Sequence, residues 1–175
     1  MEQTNLTAVQ TVVADSGPLL HLEEIGCLHL LADFKRILLP NAIAPQIEYY
    51  RTLALQSKIN FEKVDVAINK SMYKACETFS LNTGEMEAIA LCSNMPASVL
   101  LTDDAAARLA AKTFGIRAYG TIAIVLRAVR RGQLLMVEAI SKLQEIPVKS
   151  TLFIKHGLLC EIVVDVKKTC SIPHV

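Results

Sequence analysis

At 175 residues, 52% of them hydrophobic, the chain is long enough to bury one sizeable core and too short to favour two independent domains. Its 18 Lys and Arg against 17 Asp and Glu leave a net charge of +1, so bulk charge points neither toward nor away from a polyanionic partner. Five cysteines, odd in number and without a C-x-x-C pair, speak against a disulfide framework or a zinc site and predict reduced thiols in a cytoplasmic protein.

Residues Met1 to Gln10 are polar, with no basic segment leading into an apolar run, which predicts no signal peptide. No apolar stretch approaches the roughly 20 residues that cross a bilayer, and no membrane role is expected. Thr11 to Ala14 is a short β-branched run that predicts a strand; it meets the turn formers Asp15-Ser16-Gly17-Pro18, and a helical pattern starts at Leu19. A second helix is expected over Leu28 to Ala32 and a strand over Lys35 to Leu39, stopped by Pro40. A further helix is expected around Ile43 to Leu53.

Between residues 58 and 82 the pattern is weakest, with a strand expected over Phe61 to Val66 and a helix within Ala67 to Phe79. Glu85 to Asn94 has strong helix formers ended by Pro96, and Ser98 to Leu101 reads as a buried strand. Asp103-Asp104 then opens an alanine-rich helix, Ala105 to Phe114, which Gly115 caps; Ile116 to Tyr119 is a strand and Thr121 starts a helix ending near Gly132. Met136 to Leu143 is helical, Pro147 to Ile154 extended, and Leu158 to Lys168 an amphipathic helix. Strands alternating with helices predict an α/β fold, three layers with a central, mainly parallel sheet.

In such a sheet, ligands bind beyond the carboxyl ends of the strands, where the strand order reverses. Asp15 ends one strand, Asp103 and Asp104 end another, and Glu85 and Glu87 begin the helix that feeds it. The two glutamates are about 200° apart around a helix, so only one points squarely into such a site, and periodicity does not choose between them. Asp103, Glu85 and Glu87 taken singly read as helix-capping or dipole-stabilised acids, whereas Asp15 has no helix to cap nearer than Leu19 and Ser16 is the better cap there. Carboxylates converging without a balancing cation would repel one another and raise each other's pKa, unless a hard divalent ion such as Mg²⁺ or Mn²⁺ lay among them. The four histidines, His21, His29, His156 and His174, have no zinc-like spacing and are expected at surfaces or in helices. Residues 105 to 155 hold nine basic residues against two acidic ones, which predicts either solvated helix faces or a basic surface beside the acids.

Four segments occur in order: V-V-A-D-S-G-P-L from Val12, L-P-N-A-I-A-P-Q-I-E from Leu39, L-N-T-G-E-M-E-A-I-A-L from Leu81 and L-L-T-D-D-A-A-A-R from Leu100. Together, over Thr11 to Leu143, they resemble the PIN-domain family, in particular its branch of VapC-like toxins and related prokaryotic nucleases. The resemblance implies a nuclease domain over residues 11–145 and a C-terminal extension over 146–175 whose helix packs on it or mediates dimerisation. It implies a metal-dependent endoribonuclease that cuts single-stranded RNA to 5′-phosphate and 3′-hydroxyl ends. Asp15, Glu48, Glu85 and Asp104 match the family's catalytic acids; Asp15, Glu85, Asp103 and Asp104 are the candidate ligands for Mg²⁺ or Mn²⁺. Ser16, Glu87 and Thr102 are expected to support them, and Arg108, Arg127, Arg130 and Arg131 to position RNA. A small antitoxin and a second copy of the chain are the protein partners it suggests. The rival reading is a non-catalytic PIN-like module that binds RNA or protein. A phosphatase with Asp15 as nucleophile would want a second aspartate at position 17, which is Gly, and no G-x-G-x-x-G marks a dinucleotide fold.

Overall fold

The computed structural model describes residues 10–43, 45, 58–95 and 98–170, apart from the side chains of residues 169 and 170. β1 (Thr11–Ala14), β2 (Arg36–Pro40), β3 (Phe61–Val64), β4 (Val99–Leu101) and β5 (Ala118–Tyr119) form one all-parallel sheet in the order β3-β2-β1-β4-β5. The chain builds outward from β1 through β2 to β3, then returns to the other side of β1 for β4 and β5, so the order reverses between β1 and β4.

The strands alternate between two cores. Val12, Ala14, Ile37, Leu39, Val99 and Leu101 point into one hydrophobic cluster, whereas Val13, Leu38 and Leu100 point into another. That is why these strands read as unbroken apolar runs: both faces of the sheet are covered. The first face is closed by α1 (Ser16–Glu24), a 3-10 helix (Leu28–Asp33), α5 (Thr121–Arg130), α6 (Met136–Lys149) and α7 (His156–Cys170), which contribute Leu19, Leu31, Val125, Leu143 and Leu159 among others. The second is closed by α2 (Lys70–Glu77), α3 (Thr83–Asn94) and α4 (Ala105–Thr113), through Cys76, Met86, Ile89, Ala107 and Ala110. The result is the expected three-layer α/β/α arrangement.

Several boundaries differ from expectation for local reasons. α1 begins at Ser16 rather than Leu19, because extended Asp15 caps it and Pro18 fits a first turn, where its missing N–H is not needed. The segment from Leu28 winds as a 3-10 helix. Pro40 closes β2 as its last residue instead of stopping short of it, opposite Val64 of β3. α6 continues through Pro147 to Lys149, past the expected extended stretch, with the Ser150 N–H bonding the Ile146 carbonyl in its last turn. Proline's fixed φ is compatible with that turn, and only the bond to the Leu143 carbonyl is forfeited. Ile43 donates its N–H to the Pro40 carbonyl, and the rest of the helix expected around Ile43 to Leu53 lies outside the described residues, Pro45 apart.

α7 places Leu159 and Val163 in the same cluster as α1 and α6, so the C-terminal helix shares the main core. Among the described residues no helix is long and apolar enough to cross a membrane.

At Gly115 φ is +70°, and its N–H and that of Ile116 return to the Lys112 and Ala111 carbonyls to close α4. A Cβ there meets no neighbour, so the strain of an L-residue in that conformation is isolated from packing. Gly115→Ala is expected to destabilise the fold by about 1 kcal/mol, lowering the thermal midpoint. An unchanged midpoint would show that the helix end relaxes into another turn.

Candidate active site at the switch between β1 and β4

Asp15 follows β1 directly, and its N–H extends the β1–β4 ladder by one rung, bonding the Leu101 carbonyl at 2.9 Å. Its side chain is nearly buried. One carboxylate oxygen accepts the Ser16 N–H at 2.7 Å; the other accepts the Thr102 hydroxyl at 3.0 Å. Thr102 in turn accepts the Asp104 N–H at 3.2 Å, so one fully buried hydroxyl links the ends of the two central strands. Sequence reasoning favoured Ser16 as the helix cap; the cap is Asp15, and Ser16 is the first helical residue.

Asp104 is exposed and caps α4, with one oxygen on the Ala107 N–H at 2.7 Å. Glu85 forms a capping box with Asn82 at the start of α3, through bonds of 2.9 and 3.0 Å. Desolvation pushes the Glu85 carboxyl above its ordinary pKa; the Asn82 N–H opposes this, and the charges of Asp104 and Asp15 push it further up. Asp15 is likewise raised, first by burial, against the bonds from Ser16 and Thr102, with the Asp104 charge adding to it. Three acids from three elements thus share one electrostatic neighbourhood, and the charges that press on Asp15 and Glu85 are themselves carboxylates.

The other expected acids sit differently. Glu87 accepts the Ala42 N–H at 2.9 Å and so ties α3 to the turn after β2. Of the two glutamates, Glu85 is the one coupled to the strand-end aspartates. Asp103 was expected among the metal ligands, but its oxygens are engaged by His21 Nδ1 at 2.8 Å and by the Thr121 N–H and hydroxyl at 2.8 and 2.6 Å, which hold its pKa down against burial. It anchors the loop before α4 to α1 and α5 beside the acids. Gly120 makes this possible: a Cβ there would lie 2.3 Å from an Asp103 oxygen. Glu48 lies outside the described residues.

His21 and Asp33 escaped the sequence reading. The faint signal for His21 was Gly17 four positions earlier, a small residue on the same helical face that lets Asp103 approach. For Asp33 there was none, because its partners are nearly a hundred positions away. It pairs with both Arg127 and Arg131. Arg127, expected on an RNA-facing surface, is a core residue at 1% exposure, its guanidinium 4.2 Å from the centre of the Phe34 ring. The apolar body of its side chain is what its position in the helix pattern demanded, and Asp33 supplies the buried charge with its partner. Arg108 and Arg130 do lie at the surface.

A doubly covered parallel sheet with uncompensated acids at its switch point defines an α/β protein suited to cation-assisted chemistry on anionic substrates. A PIN-domain family model matches residues 11–168, and the chain belongs to the PIN-domain family. That match takes in α7, beyond the Thr11 to Leu143 segment that carried the motifs. Searches of curated proteins and of solved structures returned no match. PIN domains are generally nucleases that act on RNA and typically use divalent metals such as Mg²⁺.

The donor set suits such an ion: oxygen ligands only, with like charges that a cation would relieve. Among the described residues no three His, Cys, Asp or Glu side chains are close enough to grip an ion as they stand.

Two outcomes follow. Arg127→Leu leaves Asp33 without its buried partner and is expected to cost about 3 kcal/mol in stability, measured by urea unfolding; a variant of wild-type stability that binds RNA weakly would instead return Arg127 to the surface role. For Asp15 and Glu85, raised folded pKa values mean that their contribution to stability is present below about pH 4, the ordinary range for these acids, and is lost as pH rises through the folded values. Asp15→Asn removes one such liability. Without divalent cation it is expected to melt above wild type at pH 7, with the gap closing toward pH 4.

Proposed function

We propose that this protein is a metal-dependent endoribonuclease acting on single-stranded RNA, with Asp15, Glu85 and Asp104 at its centre. The observation that carries the reading is that Asp15, Glu85 and Asp104, from three elements, meet at the sheet's switch point, where burial first and the charge of neighbouring carboxylates second hold Asp15 and Glu85 above their ordinary pKa. Asp15, Glu85 and Asp104 each serve a helix N-terminus, but capping does not call for three carboxylates at one place; Asp15 is nearly buried with another carboxylate near it, which lowers stability unless the site has a use for negative charge.

Asp15 and Asp104, with Glu85 beside them, would hold Mg²⁺ or Mn²⁺, which when bound supplies activation of water and neutralisation of charge at the scissile phosphate. The Ser16 N–H and the Thr102 hydroxyl fix both Asp15 oxygens, so its unused lone pairs are directed without rotamer loss. Thr102 also sets Asp104 through its backbone N–H, coupling the two acids' positions. Glu85 keeps its capping bond to Asn82 and contributes charge from the α3 side. The Asp103–His21–Thr121 contacts hold the loop between β4 and α4 against displacement by the repulsion within the site. No side-chain nucleophile is needed: the Thr102 hydroxyl serves to orient Asp15, and no histidine sits in a motif that would activate it or Ser16.

Glu48 remains the fourth acid implied by the motif order, and the VapC-like order of all four motifs supports a toxin-type ribonuclease neutralised by a small protein. The non-catalytic alternative is less favoured, because a binding module has no need to keep several carboxylates together at the strand ends.

The test is cleavage of a labelled single-stranded RNA with Mg²⁺ or Mn²⁺, with EDTA, and with Asp15→Asn and Asp104→Asn proteins of verified fold. Each substitution is expected to reduce the rate at least 100-fold, and millimolar Mn²⁺ to raise the melting temperature of wild type but not of Asp15→Asn. Absence of both cleavage and metal stabilisation across varied RNAs would leave the binding-module reading in its place.

A further inference from the structure

Beside the acids lies an apolar groove of about 680 Å³ that the proposed chemistry does not use. One wall is α5, through Ile122 and Leu126; the other is the segment before α7 and α7 itself, through Leu152, Ile154, Leu158 and Ile162. At its rim stand Asp103, Arg108 and Lys155, and Phe153 lies along it.

Four features bear on its occupant. The volume falls within the roughly 300–1,000 Å³ of small-ligand sites. Phe153 is 84% exposed, the most exposed aromatic among the described residues of a chain with no tryptophan, whereas Phe34 is buried. The segment that carries it is held in place: Glu24 of α1 accepts the Ser150 hydroxyl at 2.6 Å and the Thr151 N–H at 2.8 Å, and the Ser150 hydroxyl accepts the Leu152 N–H at 3.1 Å. Finally, the rim is cationic in effect. Asp103 keeps its negative charge with its oxygens on His21 and Thr121, and the two cations Arg108 and Lys155 leave the lining with a net positive charge toward an arriving anion. Arg108 lies in the first turn of α4, the helix that Asp104 caps.

We propose that this groove is a nucleotide subsite flanking the cleavage centre, in which one base of a single-stranded RNA lies against Phe153 and the apolar walls while Arg108 and Lys155 take the adjoining phosphate. An exposed aromatic beside paired cations is the arrangement that single-stranded nucleic acids use, the ring accepting any base and the cations following the backbone. A protein partner would find the apolar walls equally suitable but gives no reason for Arg108 and Lys155 in the lining. The inference rests on the ribonuclease reading for the identity of the strand, and it adds where that strand runs.

The experiment is fluorescence anisotropy of a labelled single-stranded RNA oligonucleotide, in EDTA so that cutting is suppressed, with wild type, Phe153→Ala, Phe153→Trp and Arg108→Ala. Phe153→Ala is expected to weaken binding roughly 5- to 100-fold and Phe153→Trp to restore it. Arg108→Ala should weaken binding and lower the salt slope by about one. On oligonucleotides with abasic positions, the difference between wild type and Phe153→Ala should disappear at one position. Equal binding by wild type and Phe153→Ala overturns the subsite and leaves the groove to a protein partner. The two readings fail separately: metal-dependent cutting with no Phe153 effect sinks the subsite alone, and a Phe153 effect with no cutting sinks the nuclease alone.

Discussion

The pairing of β1 with β4 at the centre of the sheet is the constraint on which the remainder of the molecule rests. These strands are distant in sequence and adjacent in space because the chain builds outward on one side of β1 and then restarts on the other. At such a point ligands bind beyond the carboxyl ends of the strands, and Asp15 and Asp104 follow β1 and β4 there. The ladder does not stop where the strands do: the Asp15 N–H still bonds the Leu101 carbonyl, and the Asp15 carboxylate takes the Thr102 hydroxyl. Moving either strand by one residue would turn every inward side chain to the opposite core and carry Asp15 away from Asp104.

Two kinds of acid surround this point, and the structure separates them by what each has been given. Asp103 and Glu24 receive several donors each and are held below their ordinary pKa; they fasten the loop before α4 and the segment before α7 to α1. Asp15 and Glu85 are held above theirs, first by burial and then by the charge of other carboxylates. The first kind stabilises the scaffold, and the second is what the scaffold has to withstand. A divalent cation among the second kind would reverse the sign of their contribution, linking metal occupancy to stability. The same fastening of the segment before α7 forms one wall of the groove that extends the acidic centre toward α5 and the C-terminal helix.

The buried Arg127–Asp33 pair shows how a charged residue can serve the fold on the side away from the site. Its guanidinium is taken up by a carboxylate and by the face of Phe34, so a basic residue that sequence would count toward an anion-binding surface instead closes the core. Arg131 shares the same carboxylate from the surface, where Arg108 and Arg130 also lie.

From the sequence alone came the α/β class, the parallel sheet, most of the helices and the acids at Asp15, Glu85 and Asp104, because each is written in local signals: β-branched runs, helical spacing, caps and the turn formers after a strand. The four ordered motifs carried the family for the same reason. What local pattern could not reach was any choice that depends on a partner distant in the chain. Glu85 and Glu87 have the same chemistry two positions apart, and only the orientation of α3 against β1 and β4 decides which feels Asp15. Asp103 looks like Asp104 until His21 and Thr121 arrive from other elements to occupy it. Arg127 looks exposed until Asp33 and Phe34 fold over it, and nothing in the extended stretch expected over Pro147 to Ile154 marks Phe153 as the ring left on the surface. Period and propensity are properties of neighbours in sequence, whereas the availability of a charge or a ring is settled by burial and hydrogen bonding, which exist only once the sheet is assembled.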